Sequence, residues 1–278
     1  PHQPRSLNSR PEWVQLANNY AQYASAVVRD QELILTGYEI ERNCALLSLC
    51  SGLWSNGPRL RCSGLQRHCM CRVGDLSVVC GGVHTRSFRE SVARTQVLQA
   101  GPDAKWMNAA SMPRACEDAG SAVLASADAC AHQMLVVGTP RLADSRRDAS
   151  FVYDTAADRW SLHEAALLRP MHCRAAPIAG GSAVLALESN PQASVRPFCA
   201  LLDTRSRACA WSEVAAPMTS VLAPAVASVG EYSVARLGGS SDPSGSNKVH
   251  LYDARADSWC VREEWCLPRP VARHCASC

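Results

Sequence analysis

The chain has 278 residues, of which 47% are apolar, with 28 basic and 25 acidic side chains and a net charge of +3. That balance, with no basic stripe interleaved with aromatics, speaks against nucleic-acid binding, and no run of about eighteen apolar residues is present to form a membrane span. The 15 cysteines are an odd number scattered through strand-like runs. This does not fit a secreted disulfide scaffold and implies free thiols packed as small apolar side chains in a reducing, cytoplasmic compartment.

Residues 1–12 are polar and proline-bearing and read as a linker or disordered arm. They carry neither an initiator Met nor the apolar core of a signal peptide, so the chain is expected to be a fragment or one end of something longer. Residues 13–16, Trp13-Val14-Gln15-Leu16, read as the last strand of an incomplete unit. A first full unit, 20–60, places apolar runs at 24–28, 33–36 and 45–49 and ends on a strand marked by Trp54. A second, 67–112, opens with Cys69-Met70-Cys71-Arg72-Val73, turns at Gly74-Asp75 and continues as Leu76-Ser77-Val78-Val79-Cys80-Gly81-Gly82. Gly-Asp between β-prone runs is a hairpin signal. A long loop over 83–94 follows, then a strand at 95–98 and Trp106.

The third unit, 115–168, has strands at 120–126 and 134–137 ending at Gly138, an arginine-rich loop at 140–148, and the phrase Phe151-Val152-Tyr153-Asp154-Thr155-Ala156-Ala157-Asp158-Arg159-Trp160. In the fourth, 173–218, Gly180-Gly181 reads as a hairpin turn. Spacing back from Trp211 puts the position of a terminal glycine pair near Leu187-Glu188, where no glycine stands. The fifth unit, 221–267, is the most regular. It has strands at 224–229 and 232–237, the pair Gly238-Gly239, a Ser/Gly-rich loop at 240–248, and Leu251-Tyr252-Asp253-Ala254-Arg255-Ala256-Asp257-Ser258-Trp259. Residues 273–278 are expected to begin a partial sixth unit completed by 13–16.

The tryptophans Trp13, Trp54, Trp106, Trp160, Trp211 and Trp259 are separated by 41, 52, 54, 51 and 48 residues. A period near fifty marks a repeat architecture. Each unit holds four short strands, and the pattern of Gly-Gly after the second, Tyr-Asp closing the third and Trp in the fourth is complete around Trp259 and partial elsewhere. This constellation resembles the kelch repeat, the four-stranded blade of an all-β propeller, over residues 13–278. The resemblance implies five complete blades plus a partial sixth, a six-bladed form cut short or degenerated. Gly81, Gly82, Gly138, Gly238, Gly239, Tyr153, Asp154, Tyr252, Asp253, Trp54, Trp106, Trp160, Trp211 and Trp259 are then structural. Glycine suits the crowded corner where a strand leaves the centre. The Asp after Tyr can accept turn amides, and each Trp buries a large area while its indole N–H needs a partner.

No catalytic constellation emerges from the residues. A phosphate-cradling glycine loop is absent, and neither His68-Cys69-Met70-Cys71 nor Cys275-Ala276-Ser277-Cys278 has the second pair that a zinc site needs. The expectation is therefore no cofactor, no metal and no enzyme activity. The kelch resemblance, to the C-terminal propeller of BTB–BACK–kelch proteins and to fast-drifting poxvirus copies, implies protein recognition. Such propellers present targets to a cullin-RING ubiquitin ligase, with cullin held by a BTB domain outside this sequence, in host cytoplasm if the chain is viral. A non-ligase kelch scaffold that binds actin or another structural protein is the alternative, and a kelch-fold small-molecule enzyme is the second. In the family, a frequent ligand contact is an Arg just before a blade's first strand. That register carries over to Tyr23, Arg67, Glu117, Arg174, Arg273 and His274, and Arg67, Arg174 and Arg273 would form a basic rim for acidic peptides because a guanidinium grips a carboxylate bidentately.

Overall fold

The computed structural model describes residues 25–29, 31–36, 44–62, 65–84, 87–99, 101, 103–125, 133–138, 150–163, 165, 172–189, 197–206, 209–219, 221–239, 245–268 and 270. Alternating short β-prone runs and polar turns fold into five four-stranded antiparallel sheets arranged as the blades of a propeller ring. Blade one is β1 (Ser25–Arg29), β2 (Glu32–Thr36), β3 (Ala45–Ser48) and β4 (Trp54–Asn56). Between it and blade two lies β5 (Leu65–Gln66). Blade two is β6 (Cys69–Val73), β7 (Leu76–Cys80), β10 (Thr95–Gln99) and β11 (Trp106–Ala109), interrupted by β8 (Val83–His84) and β9 (Ser87–Ser91). Blade three is β12 (Gly120–Leu124), β13 (Gln133–Val137), β14 (Ser150–Asp154) and β15 (Arg159–Leu162). Blade four is β16 (Cys173–Ile178), β17 (Ala183–Glu188), β18 (Cys199–Asp203) and β19 (Trp211–Glu213); blade five is β20 (Ala225–Ser228), β21 (Ser233–Leu237), β22 (Val249–Asp253) and β23 (Ser258–Val261). The first strand of each blade is innermost, and successive inner strands abut in the order β1, β6, β12, β16, β20.

The expected strands agree with these elements to within a residue or two, with one correction. Residues 83–94 are not a plain loop: β8 and β9 pair with β5 in a small three-stranded sheet of order β5-β8-β9. Val83 is buried at this corner, so the segment leaving Gly82 has an apolar reason to stay and pair. Gly180-Gly181 is the turn between β16 and β17, as expected, where Ala179, Gly180 and Gly181 take φ of +49°, +66° and +93°. The strands expected for a sixth blade, at 13–16 and 273–278, lie outside the described residues. Among the described residues no helix is long and apolar enough to cross a membrane.

The glycine pair is dictated by crowding. Gly81 and Gly82 have φ of +69° and +92°, and a Cβ on them would sit 2.5 Å from the Cys116 carbonyl oxygen and 2.6 Å from that of Gln66. A side chain there meets backbone, which cannot yield.

The blades are fastened by a recurring clasp. Tyr153 and Trp160 lie opposite each other on β14 and β15 and stack with centroids 5.0 Å apart. Both pack against blade two, beside Val78, Cys80 and Met112. The Tyr153 hydroxyl donates to Asp158 Oδ1 at 2.6 Å, and the same oxygen accepts the backbone N–H of Ala110 of blade two at 2.8 Å. Trp160 Nε1 donates to the Ala110 carbonyl at 2.9 Å and to Thr95 Oγ1 at 3.1 Å. Both polar groups of the Ala110 residue are therefore gripped by the next blade.

Blade five repeats the device on Ala215. Asp257 Oδ1 accepts its N–H at 2.8 Å and the Tyr252 hydroxyl at 2.9 Å, while Trp259 Nε1 donates to its carbonyl at 2.8 Å. Asp158 and Asp257 sit at φ of +44° and +42°, a left-handed turn position that Asp tolerates better than most residues. The Asp that follows Tyr behaves as the sequence suggests: Asp154 accepts the turn amides of Ala156 and Ala157, each at 3.0 Å, and Asp253 that of Arg255 at 2.8 Å. Blades two and four lack the clasp. Leu98 and Leu202 replace the Tyr opposite Trp106 and Trp211, and both indole nitrogens lack a hydrogen-bond partner among the described residues.

The outward face of blade five is covered locally. Trp265, from a 3-10 turn just after β23, packs on Ala225, Ala235, Leu237, Val249 and Leu251. This tryptophan breaks the fifty-residue period, and the repeat reading passes over it.

Substituting Asp158→Ala removes the acceptor for both the Tyr153 hydroxyl and the Ala110 N–H and leaves a left-handed residue without Asp's tolerance. It is expected to cost about 2 kcal/mol, measured as a lowered urea midpoint. Asp158→Asn, which keeps an acceptor oxygen and the turn preference, is expected to lose less than half of that.

Candidate functional site

The loops joining the fourth strand of one blade to the first of the next share a ring face with the loops joining second and third strands. Gly82 N–H donates to the Cys116 carbonyl at 2.7 Å, and a Cβ on Gly239 would press on Val221. On this face three of the inner strands are entered through one left-handed residue two positions earlier. Arg67 before β6, Asp118 before β12 and Ala223 before β20 have φ of +57°, +50° and +45°. The turn aims these residues at their neighbours. Asp118 N–H donates to the Arg67 carbonyl at 3.0 Å, and Cys173 N–H donates to the Asp118 carbonyl at 3.2 Å. Ser189 N–H then donates to the His172 carbonyl at 2.8 Å and Ala223 N–H to the Ser189 carbonyl at 2.6 Å, so a backbone staircase runs along the inner edge of this face.

Three of the sequence-predicted contact residues gather there. Arg67 Nη1 lies 3.4 Å from an Asp118 oxygen and 3.7 Å from one of Glu117, and Arg174 Nη2 lies 3.8 Å from the other Asp118 oxygen. The rim is therefore mixed in charge rather than basic, with one carboxylate spanning two arginines. Glu117 is buried, whereas Arg67 keeps about a third of its side chain in solvent. Tyr23, Arg273 and His274 lie outside the described residues. Asp118 was missed by counting registers because the family pattern points to one residue per blade, and here its neighbour Glu117 filled that place.

Two apolar side chains stand out on the same face in the link from blade four to blade five. Met218 is 96% exposed and Leu222 42%. Just beneath this link is an arginine that the sequence reading did not single out. Arg236, in β21, is 2% exposed, and it donates from Nη1 to the carbonyl of Thr219 at 2.6 Å and from Nη2 to Thr219 Oγ1 at 3.1 Å. Its signal in the sequence was a cation inside the apolar run Val234-Ala235-Arg236-Leu237.

Five of the thiols are kept protonated by their surroundings. Burial pushes Cys71, Cys173 and Cys199 up to about 12, and Cys80 and Cys116 are also raised well above the ordinary thiol value. They therefore carry essentially no thiolate at neutral pH. No disulfide is formed among the described residues, and Cys44, Cys62, Cys69, Cys80, Cys116, Cys173 and Cys199 are buried. Among the described residues no group of three or more His, Cys, Asp or Glu is placed to hold a metal ion. His68 of the His-Cys-Met-Cys stretch is instead a core residue, its Nε2 2.7 Å from Thr36 Oγ1.

Two histidines make stability pH-dependent. His68 and His250 are both lowered from 6.5 to about 4, chiefly by burial, with Arg236 and Lys248 contributing to the shift at His250. Both are neutral when folded at neutral pH. Below about 6.5 the unfolded chain takes up protons that the folded chain refuses until about 4. Stability is therefore expected to fall as pH drops through that window and to gain nothing from these groups above it. The fully buried His68 adds a slope of up to about 1.4 kcal/mol per pH unit. Urea midpoints measured between pH 7.5 and 4.5 check this, and His68→Gln is expected to flatten the dependence.

The fold places a mixed-charge rim and an exposed apolar pair on one ring face, an arrangement compatible with a protein-interaction module. No family model matches the chain, and no curated protein matches it significantly.

Proposed function

We propose that this chain is a protein-recognition propeller of the kelch class that holds a target on the face carrying Arg67, Glu117, Asp118 and Arg174. We further propose that it acts as the substrate-recognition part of a cullin-RING ligase adaptor, in the cytoplasm and without catalysis of its own. The observation that carries the reading is the convergence of that ionic cluster with exposed Met218 on one loop face of a five-bladed ring. Arginine and methionine are enriched at protein interfaces, charged groups there set specificity and approach, and loops on a rigid scaffold are where recognition is usually placed. The Gly-Gly, Tyr-Asp and Trp phrases support the kelch assignment, and the ligase role rests on that resemblance. Thiols that form no disulfide among the described residues suit a reducing compartment.

The test is affinity capture from cell extract on the full chain and on an Arg67→Ala/Arg174→Ala double variant. Captured target is expected to fall about tenfold or more in the variant, the size expected when buried charge-assisted contacts are lost. Equal capture by both would remove the rim from the interface. Cullin in the eluate of the full reading frame is expected from a ligase adaptor, and its absence with the target still bound would leave a scaffold.

A further inference from the structure

Of the arginines on the loop face, Arg67 and Arg174 already have carboxylates beside them. Arg236 does not. No Asp or Glu among the described residues lies within ion-pair distance of it, and its Nε is buried without a hydrogen-bond partner. Burial lowers its pKa only to about 10, so the guanidinium is charged at neutral pH. Lys248, exposed on the same face, and His250, opposite Arg236 on β22, add no negative charge. A desolvated cation with donors to spare and a positive surrounding is costly unless an anion completes it.

The cover over Arg236 is thin. Thr219, which takes both Nη groups, is itself exposed and belongs to the link between β19 and β20, not to a strand. Its carbonyl and hydroxyl present two oxygens to the guanidinium fork, the same pattern that a carboxylate offers in a bidentate pair. Met218 beside it, 96% exposed, would contact apolar parts of an entering segment.

We propose that the seam between blades four and five is a carboxylate-binding site, in which an acidic side chain of a partner segment replaces Thr219 on Arg236 while its apolar neighbours rest on Met218 and Leu222. This deepens the recognition reading above by naming the partner's chemistry and a second anchor away from the Arg67–Asp118–Arg174 rim. It also predicts that the unliganded chain carries a stability cost at this point.

The experiment uses the full chain, labelled for arginine side-chain NMR, titrated with hexaglutamate, with hexaglutamine, and separately with inorganic phosphate. Hexaglutamate is expected to shift the Arg236 Nε–H signal saturably, whereas hexaglutamine does not. Arg236→Met is expected to weaken hexaglutamate about tenfold or more, the loss of a charge-assisted bidentate contact. Thr219→Val, which removes the internal hydroxyl competitor, is expected to tighten binding about threefold. An unmoved Arg236 signal in the wild-type chain, or hexaglutamate binding equally well to Arg236→Met, would overturn the proposal, and the wild-type titration decides the matter even if that variant fails to fold. Phosphate saturating the site where hexaglutamate does not would overturn the carboxylate assignment. Because these probes need no natural target, failure here is separable from failure of the capture experiment, which reads Arg67 and Arg174.

Discussion

The ring depends on how one backbone residue is held from both sides. At Ala110 and again at Ala215, the following blade supplies an acceptor for the N–H and a donor for the C=O. A β-sheet satisfies most of its own backbone internally, so away from the loop-face staircase neighbouring blades would otherwise meet mainly through apolar side chains, which set distance but not direction. The Asp–Tyr–Trp clasp adds direction. It locks the end of one blade's outer strand to the next blade's turn, and it gives the buried indole N–H and phenol the partners they require. Where the clasp is missing, Trp106 and Trp211 still fill the space between blades but leave their N–H groups without partners among the described residues. The unequal blades share one packing plan with different amounts of polar fastening.

That rigid frame explains why charged groups can be placed on the loop face with purpose. The left-handed residues before β6, β12 and β20 send the backbone into the staircase from Arg67 to Ala223, and the side chains at those turns are carried to the inner edge. Arg67 and Arg174 reach the same carboxylate from different blades because Asp118 occupies the turn between them. An acidic partner at this rim would exchange one carboxylate for another. Such an exchange favours selectivity over affinity, since charge lost on one side is regained on the other. Arg236 stands in contrast, a cation whose oxygen partners among the described residues all come from one threonine.

Much of the architecture was legible in the sequence. The period of the tryptophans and the Tyr-Asp phrase located the outer hairpins of blades three and five, and Gly81-Gly82 and Gly238-Gly239 located the strand ends, because these residues answer to local demands: a φ that only glycine adopts easily, a turn amide that needs an acceptor. The role of Asp158 and Asp257 was also present in outline, since both repeats place Asp two positions before Trp. What it grips could not be read there, because Ala110 and Ala215 carry no side-chain signal and their contribution is pure backbone.

Residue order sets the kind of unit and its repetition, since strand length, turn chemistry and strand-end glycines are properties of consecutive residues. Which charges meet is a matter of packing in three dimensions. Arg67, Asp118 and Arg174 are about fifty residues apart in successive blades, and nothing short of closing neighbouring sheets to packing distance could show that a rim expected to be basic is internally neutralised. The same holds for Arg236, whose burial and isolation from any carboxylate among the described residues arise from the apposition of blades four and five. Electrostatic partnership depends on distance and desolvation, and both are set by packing rather than by position along the chain.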